Sequence, residues 1–224
     1  VYTEAEEFFL MRLAWEEWKE DNSLGACLAL ILLFYTGLRI GEVVALKRSD
    51  IDGLVAHICR SEVEVSVQID ETTFKQIGHM VIDHPKTSAG FRDVYLTHGG
   101  REVVDAALSG VAARGADDSY LFTNGITRVN VDMVTYRLKK YCNILGIPFR
   151  SAHKIRKTYV SHLIDGGVNI DAARIQVGHE DERTTLRCYT FNTKTQDETN
   201  EQFERALSTL APNPGILVTA NGYR

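Results

Sequence analysis

Apolar residues recur along this chain with two different spacings. Up to Lys47, and again after Gly100, they lie three or four positions apart, which is the spacing of helices with one buried face. Between those two stretches the spacing changes to two, which is typical of strands. The predicted helices are, in chain order, 3–19 with Thr3 as N-cap, 24–35, 38–47, 101–113, 131–145, 153–164, 170–177 and a short one before Tyr189.

The middle of the chain favours strands. Val63, Val65 and Val67 alternate with polar residues, the pattern of a strand with one buried face. Residues 79–83 and 92–96 predict two further strands, and the segment between them is rich in turn-forming residues. We therefore predict an α+β fold, mostly helical, with a small three-stranded antiparallel sheet that carries a hairpin turn.

Length and composition narrow the class of protein. The 224 residues correspond to one large domain or one domain with appendages, and 44% hydrophobic with 25% charged residues excludes a disordered or fibrous chain. The longest apolar run, 24–35, is too short to cross a membrane, and the acidic, amphipathic first twenty residues are no signal peptide. The four cysteines form no C-x-x-C pair, so free thiols and a cytoplasmic location are expected.

Charge is distributed unevenly along the chain. The formal net charge of −5 argues against a nucleic-acid partner. Residues 128–194, however, hold twelve Lys and Arg against six Asp and Glu, a net charge of +6, and the rest of the chain carries −11. A basic stretch in an acidic chain indicates an anionic partner, although a solvated face balanced by neighbouring residues would show the same pattern.

Short motifs place charged, acid–base and nucleophilic side chains at intervals along the chain. His153 and Arg156 are three positions apart, so they share one face of the predicted helix. Each residue alone has an ordinary structural explanation, since Arg39 can pair with Glu42 and Tyr189 can be a core residue. The candidate site residues, in chain order, are Arg39, Lys86, His153, Arg156, His179 and Tyr189.

Taken together and in order, these motifs resemble the catalytic domain of the tyrosine recombinases, the phage and transposon integrases. The likeness extends over nearly the whole chain, from the first predicted helix to the one after Tyr189. The local sequences that carry it are TGLRIGE at 36–42 with Leu46 and 50–52 after it, Pro85-Lys86-Thr87 with Arg92 on the next strand, and Gly178-His179 followed by Thr184-Thr185 and Tyr189-Thr190.

The resemblance implies that Tyr189 attacks a DNA phosphodiester and becomes a covalent 3′-phosphotyrosine. A free phenol has a pKa of about 10, so neighbouring groups must activate it. The transition state places extra negative charge on the phosphate oxygens. A guanidinium suits that charge because it donates two parallel hydrogen bonds and stays protonated, and Arg39 with Arg156 would form such a clamp.

The other candidate residues receive roles from the same resemblance. Lys86 is the family's general acid for the departing 5′ oxygen, His153 assists as acid or base at the tyrosine, and His179 hydrogen-bonds to the phosphate. No metal is expected because the two arginines supply the charge. No ATP is expected because the phosphotyrosine keeps the bond energy for rejoining, so we expect no cofactor.

Two local departures from the family pattern stand out. Lys157 follows the H-x-x-R arginine where many relatives have histidine. The interval of ten residues from His179 to Tyr189 is one longer than in many relatives, and it favours an integrase of a mobile element such as a conjugative transposon or phage.

The domain organisation is also predicted by the resemblance. Residues 1–210 would be the catalytic domain, with a C-terminal helix at about 196–210 that bears Phe203, Leu207 and Leu210 on one stripe, and 211–224 a flexible tail. That helix either packs on its own domain or docks on a neighbouring protomer, as in a homotetramer on DNA. The family's N-terminal core-binding domain is expected to be missing from this chain.

The function predicted is therefore a site-specific DNA recombinase that integrates or excises a mobile element. Its expected partners are the double-stranded DNA of a recombination site, further copies of itself and an accessory directionality factor. A type IB topoisomerase-like enzyme would use the same chemistry, and an inactive DNA-binding accessory protein would keep the fold. A metal-dependent hydrolase is disfavoured because the chain lacks H-E-x-x-H.

Overall fold

The computed structural model describes residues 1–70, 72–83, 90–110, 119–125 and 127–179, all within one compact unit, Val1–Thr190. Helices form most of these ranges. They are α1 (Glu4–Glu20), α2 (Gly25–Thr36), α3 (Ile40–Val44), α4 (His98–Ser109), α5 (Val131–Leu145), α6 (Ala152–Asp165) and α7 (Ile170–Val177), with a 3₁₀ turn at Arg48–Asp50.

Polar N-caps fix where several of these helices begin. Thr3 and Glu6 form the reciprocal capping box that starts α1, so the predicted cap is confirmed. Asn130 accepts from Met133 N at the start of α5. The predicted bounds of α5 are confirmed, whereas α4 begins three residues earlier than predicted and α3 is much shorter than its apolar spacing suggested.

The apolar helix α2 forms the centre of the core. Nearly all of its residues are buried, and it packs against α1, α4, α5 and α6. This arrangement confirms that the run 24–35 is a core helix. Among the described residues no helix is long and apolar enough to cross a membrane.

The strands form small antiparallel sheets. They are β1 (Ile51–Asp52), β2 (Val55–Ile58), β3 (Ser61–Gln68), β4 (Phe74–Ile82), β5 (Arg92–Tyr95), β6 (Thr123–Asn124) and β7 (Thr127–Arg128). One sheet has the order β1-β2-β5, the long hairpin β3–β4 forms a second, and β6 pairs with β7.

The α+β class with a three-stranded antiparallel sheet is confirmed, but the predicted membership of that sheet was wrong. The strands at 63–69, 79–83 and 92–96 were expected to pair side by side. Instead β3 pairs with β4 alone, whereas β5 pairs with β2. Alternation identifies which residues of a strand share a face, but it does not select the partner strand.

Three of the four cysteines are free thiols, as expected: Cys27, Cys59 and Cys142. The fourth, Cys188, lies outside the described residues. So do Lys86, Tyr189, the predicted helix at 196–210 and the predicted tail.

Candidate active site

Arg39 emerges at the junction of α2 and α3. Its backbone is extended at the N-cap of α3, and its amide donates to Glu42 Oε2 at 2.9 Å. Its guanidinium donates from Nη1 to Glu42 Oε1 at 2.8 Å and from Nη2 to the carbonyl of Gly178 at 3.1 Å. The side chain remains 41% exposed, so it is anchored from behind and faces solvent.

Gly37 sets the direction in which the chain reaches Arg39. It ends α2 in the left-handed conformation with φ of 59°, which a residue with a Cβ adopts only with strain. A Cβ at this position would lie 2.3 Å from Cδ1 of Tyr159. Both the conformation and the contact therefore require glycine.

Arg156 lies on α6, one turn after His153, and is 4% exposed. It donates from Nη1 to the carbonyl of Gly37 at 2.9 Å, from Nη2 to the carbonyl of Val177, and from Nε to His179 Nε2 at 3.3 Å. One guanidinium therefore joins α6 to the ends of α2 and α7.

His179 follows Gly178, whose left-handed backbone ends α7. It is 7% exposed, and burial lowers the pKa of its imidazole to about 4, aided by the positive charges of Arg156, Arg39 and Arg92. The ring is therefore neutral at pH 7. Because the Arg156 guanidinium only donates, Nε2 of His179 accepts and the ring proton resides on Nδ1.

His153 lies on the same face of α6 as Arg156, as the three-residue interval predicted. Burial lowers the pKa of His153, and the nearby charges of Lys157, Arg156, Lys154 and Arg39 lower it further. Its imidazole is more exposed than that of His179. A neutral, accessible imidazole can accept a proton at neutral pH.

The carboxylate that organises these arginines was not among the predicted site residues. Glu42 is 1% exposed and receives Arg92 Nη2 at 2.8 Å as well as Arg39. Burial alone would raise the pKa of Glu42, but the hydrogen bonds and charges of Arg92 and Arg39 hold it below its usual value. Glu42 and Arg92 both lie in the local sequences that carry the resemblance, but their pairing becomes visible only in the folded structure.

Four of the six predicted residues are thus brought together. Hydrogen bonds tie the two guanidiniums to the turns that end α2 and α7. Arg39 donates to the carbonyl of Gly178, and Arg156 donates to the carbonyl of Gly37. The imidazoles of His153 and His179 lie within electrostatic range of both. Lys86 and Tyr189 lie outside the described residues. The cluster can bind an anion through the exposed part of Arg39 and through the histidines.

Comparison with known proteins identifies relatives of this chain. The phage integrase family model matches residues 11–196. The tyrosine recombinase XerC-like protein of Caldanaerobacter subterraneus subsp. tengcongensis is 28% identical over 180 residues, covering 71% of this chain and 44% of the relative. The ICEBs1 integrase of Bacillus subtilis is 26% identical over 163 residues, covering 70% of this chain and 42% of the relative. This chain spans less than half the length of these two relatives.

Solved structures share the fold. The Tn1549 transposon integrase, in complex with transposon right end DNA, has a TM-score of 0.65 at 23% identity. The match covers 91% of this chain and 65% of that integrase chain. XerA recombinase has a TM-score of 0.63 at 18% identity, and the match covers 95% of this chain and 64% of the XerA chain. Because the family match extends across the positions of Arg39, His153, Arg156 and His179, this chain belongs to the phage integrase family, as its motifs predicted.

Proposed function

We propose that this chain is the catalytic part of a site-specific DNA recombinase. It cleaves and rejoins DNA strands through a covalent 3′-phosphotyrosine, in the integration or excision of a mobile element. The observation that carries the proposal is the convergence of Arg39, His153, Arg156 and His179 at the ends of α2 and α7. Burial and the charges of Arg156 and Arg39 lower the pKa of His179, so that its ring stays neutral beside these cations.

A phosphodiester in its transition state is the anion that suits this cluster. Negative charge grows on the non-bridging oxygens during attack, and preorganised donors stabilise it without reorganising. Arg39 and Arg156 are already held by backbone carbonyls and Glu42, so their donors are oriented before substrate arrives. Neutral His153 can accept the proton of the attacking phenol, and His179 can donate from Nδ1 to a phosphate oxygen.

The remaining chemistry is proposed from the family motifs. Tyr189 is the nucleophile, and the O–P bond it forms replaces the bond to the 5′ oxygen, which leaves as a hydroxyl with the proton of Lys86. Rejoining is the reverse, with the 5′ hydroxyl attacking the phosphotyrosine. Each step conserves the number of phosphoester bonds, so the reaction consumes neither water nor a nucleotide.

Partners and domain organisation are proposals of the same kind. The substrate is double-stranded DNA, in keeping with the transposon right end DNA that the Tn1549 integrase holds in its complex. Residues 1–210 would serve as the catalytic domain, and the segment at about 196–210 would dock on a neighbouring protomer of a homotetramer. A core-binding domain and a directionality factor would complete the recombining assembly in the cytoplasm.

The direct test is a search for the covalent intermediate. The purified protein, supplied together with the proposed core-binding domain, is incubated with nicked duplexes that cover the DNA on either side of its gene, so that cleavage releases a short strand and traps the adduct. We expect a protein–DNA adduct that survives denaturing electrophoresis. Tyr189→Phe should abolish it and leave DNA binding within about threefold, because only the nucleophilic oxygen is removed.

The matched control is Tyr136→Phe, which removes the hydroxyl of an exposed tyrosine on α5. This variant should form adduct at the wild-type rate. An adduct that persists in Tyr189→Phe would show that another residue is the nucleophile. No adduct from the wild-type protein on any duplex would count against the recombinase itself.

A further inference from the structure

Arg92 joins three parts of the cluster, although it was predicted only as a neighbour of the Lys86 motif. It lies at the start of β5, and its Nη1 and Nη2 donate to Glu42 Oε1 at 3.1 Å and Oε2 at 2.8 Å. Its Nε donates to the carbonyl of Gln176 at 3.1 Å, and its Nη1 also donates to the carbonyl of Gly90 at 3.1 Å. One guanidinium therefore connects α3, the last turn of α7 and the residues before β5.

Arg92 shares one acceptor with Arg39, and it donates to a carbonyl two residues before the other. Arg39 is held by Glu42 and by the carbonyl of Gly178. Arg92 donates hydrogen bonds to the carboxylate of Glu42 and to the carbonyl of Gln176, which lies two residues before Gly178 on the same turn. Both of the groups that orient Arg39 are thus fixed by a second guanidinium behind them.

Burial explains why this support matters. Arg92 is 4% exposed, so it is closed off from solvent, whereas Arg39 is 41% exposed and faces solvent. Burial raises the pKa of Glu42, and the hydrogen bond from Arg92 is the largest effect that lowers it. Without Arg92, a protonated Glu42 would lose acceptor capacity for Arg39.

We propose that Arg92 is a positioning residue that holds Arg39 ready for the phosphate by fixing Glu42 and the Gln176–Gly178 turn. The inference rests on the proposed function, in which Arg39 binds the scissile phosphate. In this proposal Arg92 acts on Arg39 and not on the substrate, and its guanidinium donates to Glu42, Gln176 and Gly90. Its effect on cleavage passes through Arg39.

A double-mutant cycle on the rate of adduct formation tests this coupling. Arg92→Gln should slow single-turnover cleavage by about 10–100-fold, somewhat less than the loss of a direct donor. In an Arg39→Lys background the same substitution should slow it by less than about threefold, because its target is already removed. Equal factors in the two backgrounds would overturn the inference, since a general loss of structure lowers both alike.

The matched control is Arg128→Gln, which removes another arginine from a buried carboxylate, Glu62, outside the cluster. Arg128→Gln should change the rate of cleavage by the same factor in the wild-type protein and in the Arg39→Lys variant. If Arg92→Gln does not fold, Arg92→Lys replaces it, because lysine keeps the charge beside Glu42 while it loses the fork to Gln176 and Gly90.

A crystal structure of the Arg92 variant provides a result that does not depend on activity. We expect Arg39 to leave the Gly178 carbonyl, and an Arg39 that keeps both its contacts would overturn the inference. An absent adduct in the wild-type protein would count against the proposed function, and the crystal structure would still decide the role of Arg92.

Discussion

Two buried carboxylates, Glu42 and Glu62, each bind an arginine in this fold, and their surroundings differ. Glu62 pairs with Arg128, accepts from Val131 N at 2.9 Å and lies 3.3 Å from His79 Nδ1. His79 in turn lies 2.9 Å from Asp132. At the foot of the β3–β4 hairpin, two carboxylates therefore alternate with an arginine and a histidine.

At Glu42 the balance is shifted toward positive charge. Arg39 and Arg92 share the single carboxylate, and Arg156 and the two candidate histidines lie close by. The half-exposed Arg39 presents this excess charge to solvent. In one place an arginine–glutamate pair links structural elements, and in the other it supports the arginine that we propose binds the phosphate. The number and exposure of the cations distinguish the two.

The largest effect expected is that of Arg156→Lys on cleavage. Lysine keeps the charge but cannot reach the Gly37 carbonyl, the Val177 carbonyl and His179 together. The rate of adduct formation should fall by about 10²–10³, with DNA affinity changed far less. Single-turnover cleavage and a binding titration measure the two. Equal losses in both would mean that Arg156 only anchors DNA and would remove the contrast with Arg128.

Glu62→Gln should show the opposite division between stability and activity. It removes the charge that faces Arg128 and His79 in a place closed to solvent, so we expect a loss of about 3 kcal/mol in the free energy of unfolding. Urea denaturation measures it. Cleavage per folded molecule should stay within about threefold, and a larger loss would show that the hairpin joint also shapes the active cluster.

The pH dependence of stability should come partly from the cation-rich cluster. The pKa of His179 is lowered from 6.5 to about 4 by folding, so between these values the unfolded chain binds the proton and the folded chain does not. The contribution is complete above about pH 6.5 and is lost as the pH falls toward 4, by about 3 kcal/mol in total. His179→Gln, measured by urea denaturation from pH 4.5 to 7, should flatten this dependence. An unchanged slope would contradict the lowered pKa assigned to the buried imidazole of His179.

The smallest effect is expected for an exposed pair. Arg12 and Glu16 lie one turn apart on α1 at 2.8 Å, with more than half of each side chain exposed. Arg12→Ala should change the free energy of unfolding by less than about 0.5 kcal/mol, because solvent screens the pair and its ordering costs entropy. A thermal melt measures it. A loss in the free energy of unfolding as large as that of Glu62→Gln would mean that burial does not explain why the Arg128–Glu62 pair is stronger than the Arg12–Glu16 pair.

The sequence predicted much of this architecture because helical signals are local. The cap at Thr3, the apolar run of α2 and the bounds of α5 follow from residues within a few positions of one another. The convergence of Arg39, His153, Arg156 and His179 could also be anticipated, but only because the family motifs supplied the order of the residues.

Long-range pairings could not be predicted from local spacing. The partner of β5 is β2, although β4 is nearer in the sequence, and alternation contains no information on that choice. The double use of Glu42 was missed for the same reason, since Arg92 lies fifty positions away. A pairing of Arg39 with Glu42 was anticipated as an ordinary structural alternative to a functional role, and the structure contains that contact.

Because Arg39 is tied to Gly178 and Arg156 to Gly37, the clamp closes across 139 and 119 positions of chain. A nascent polypeptide that stops short of α7, or a proteolytic fragment that lacks it, leaves the two guanidiniums without their shared scaffold. A chain that ends before α7 should therefore not assemble this pair of arginines, because the end of α7 supplies the Gly178 carbonyl to Arg39 and the Val177 carbonyl to Arg156.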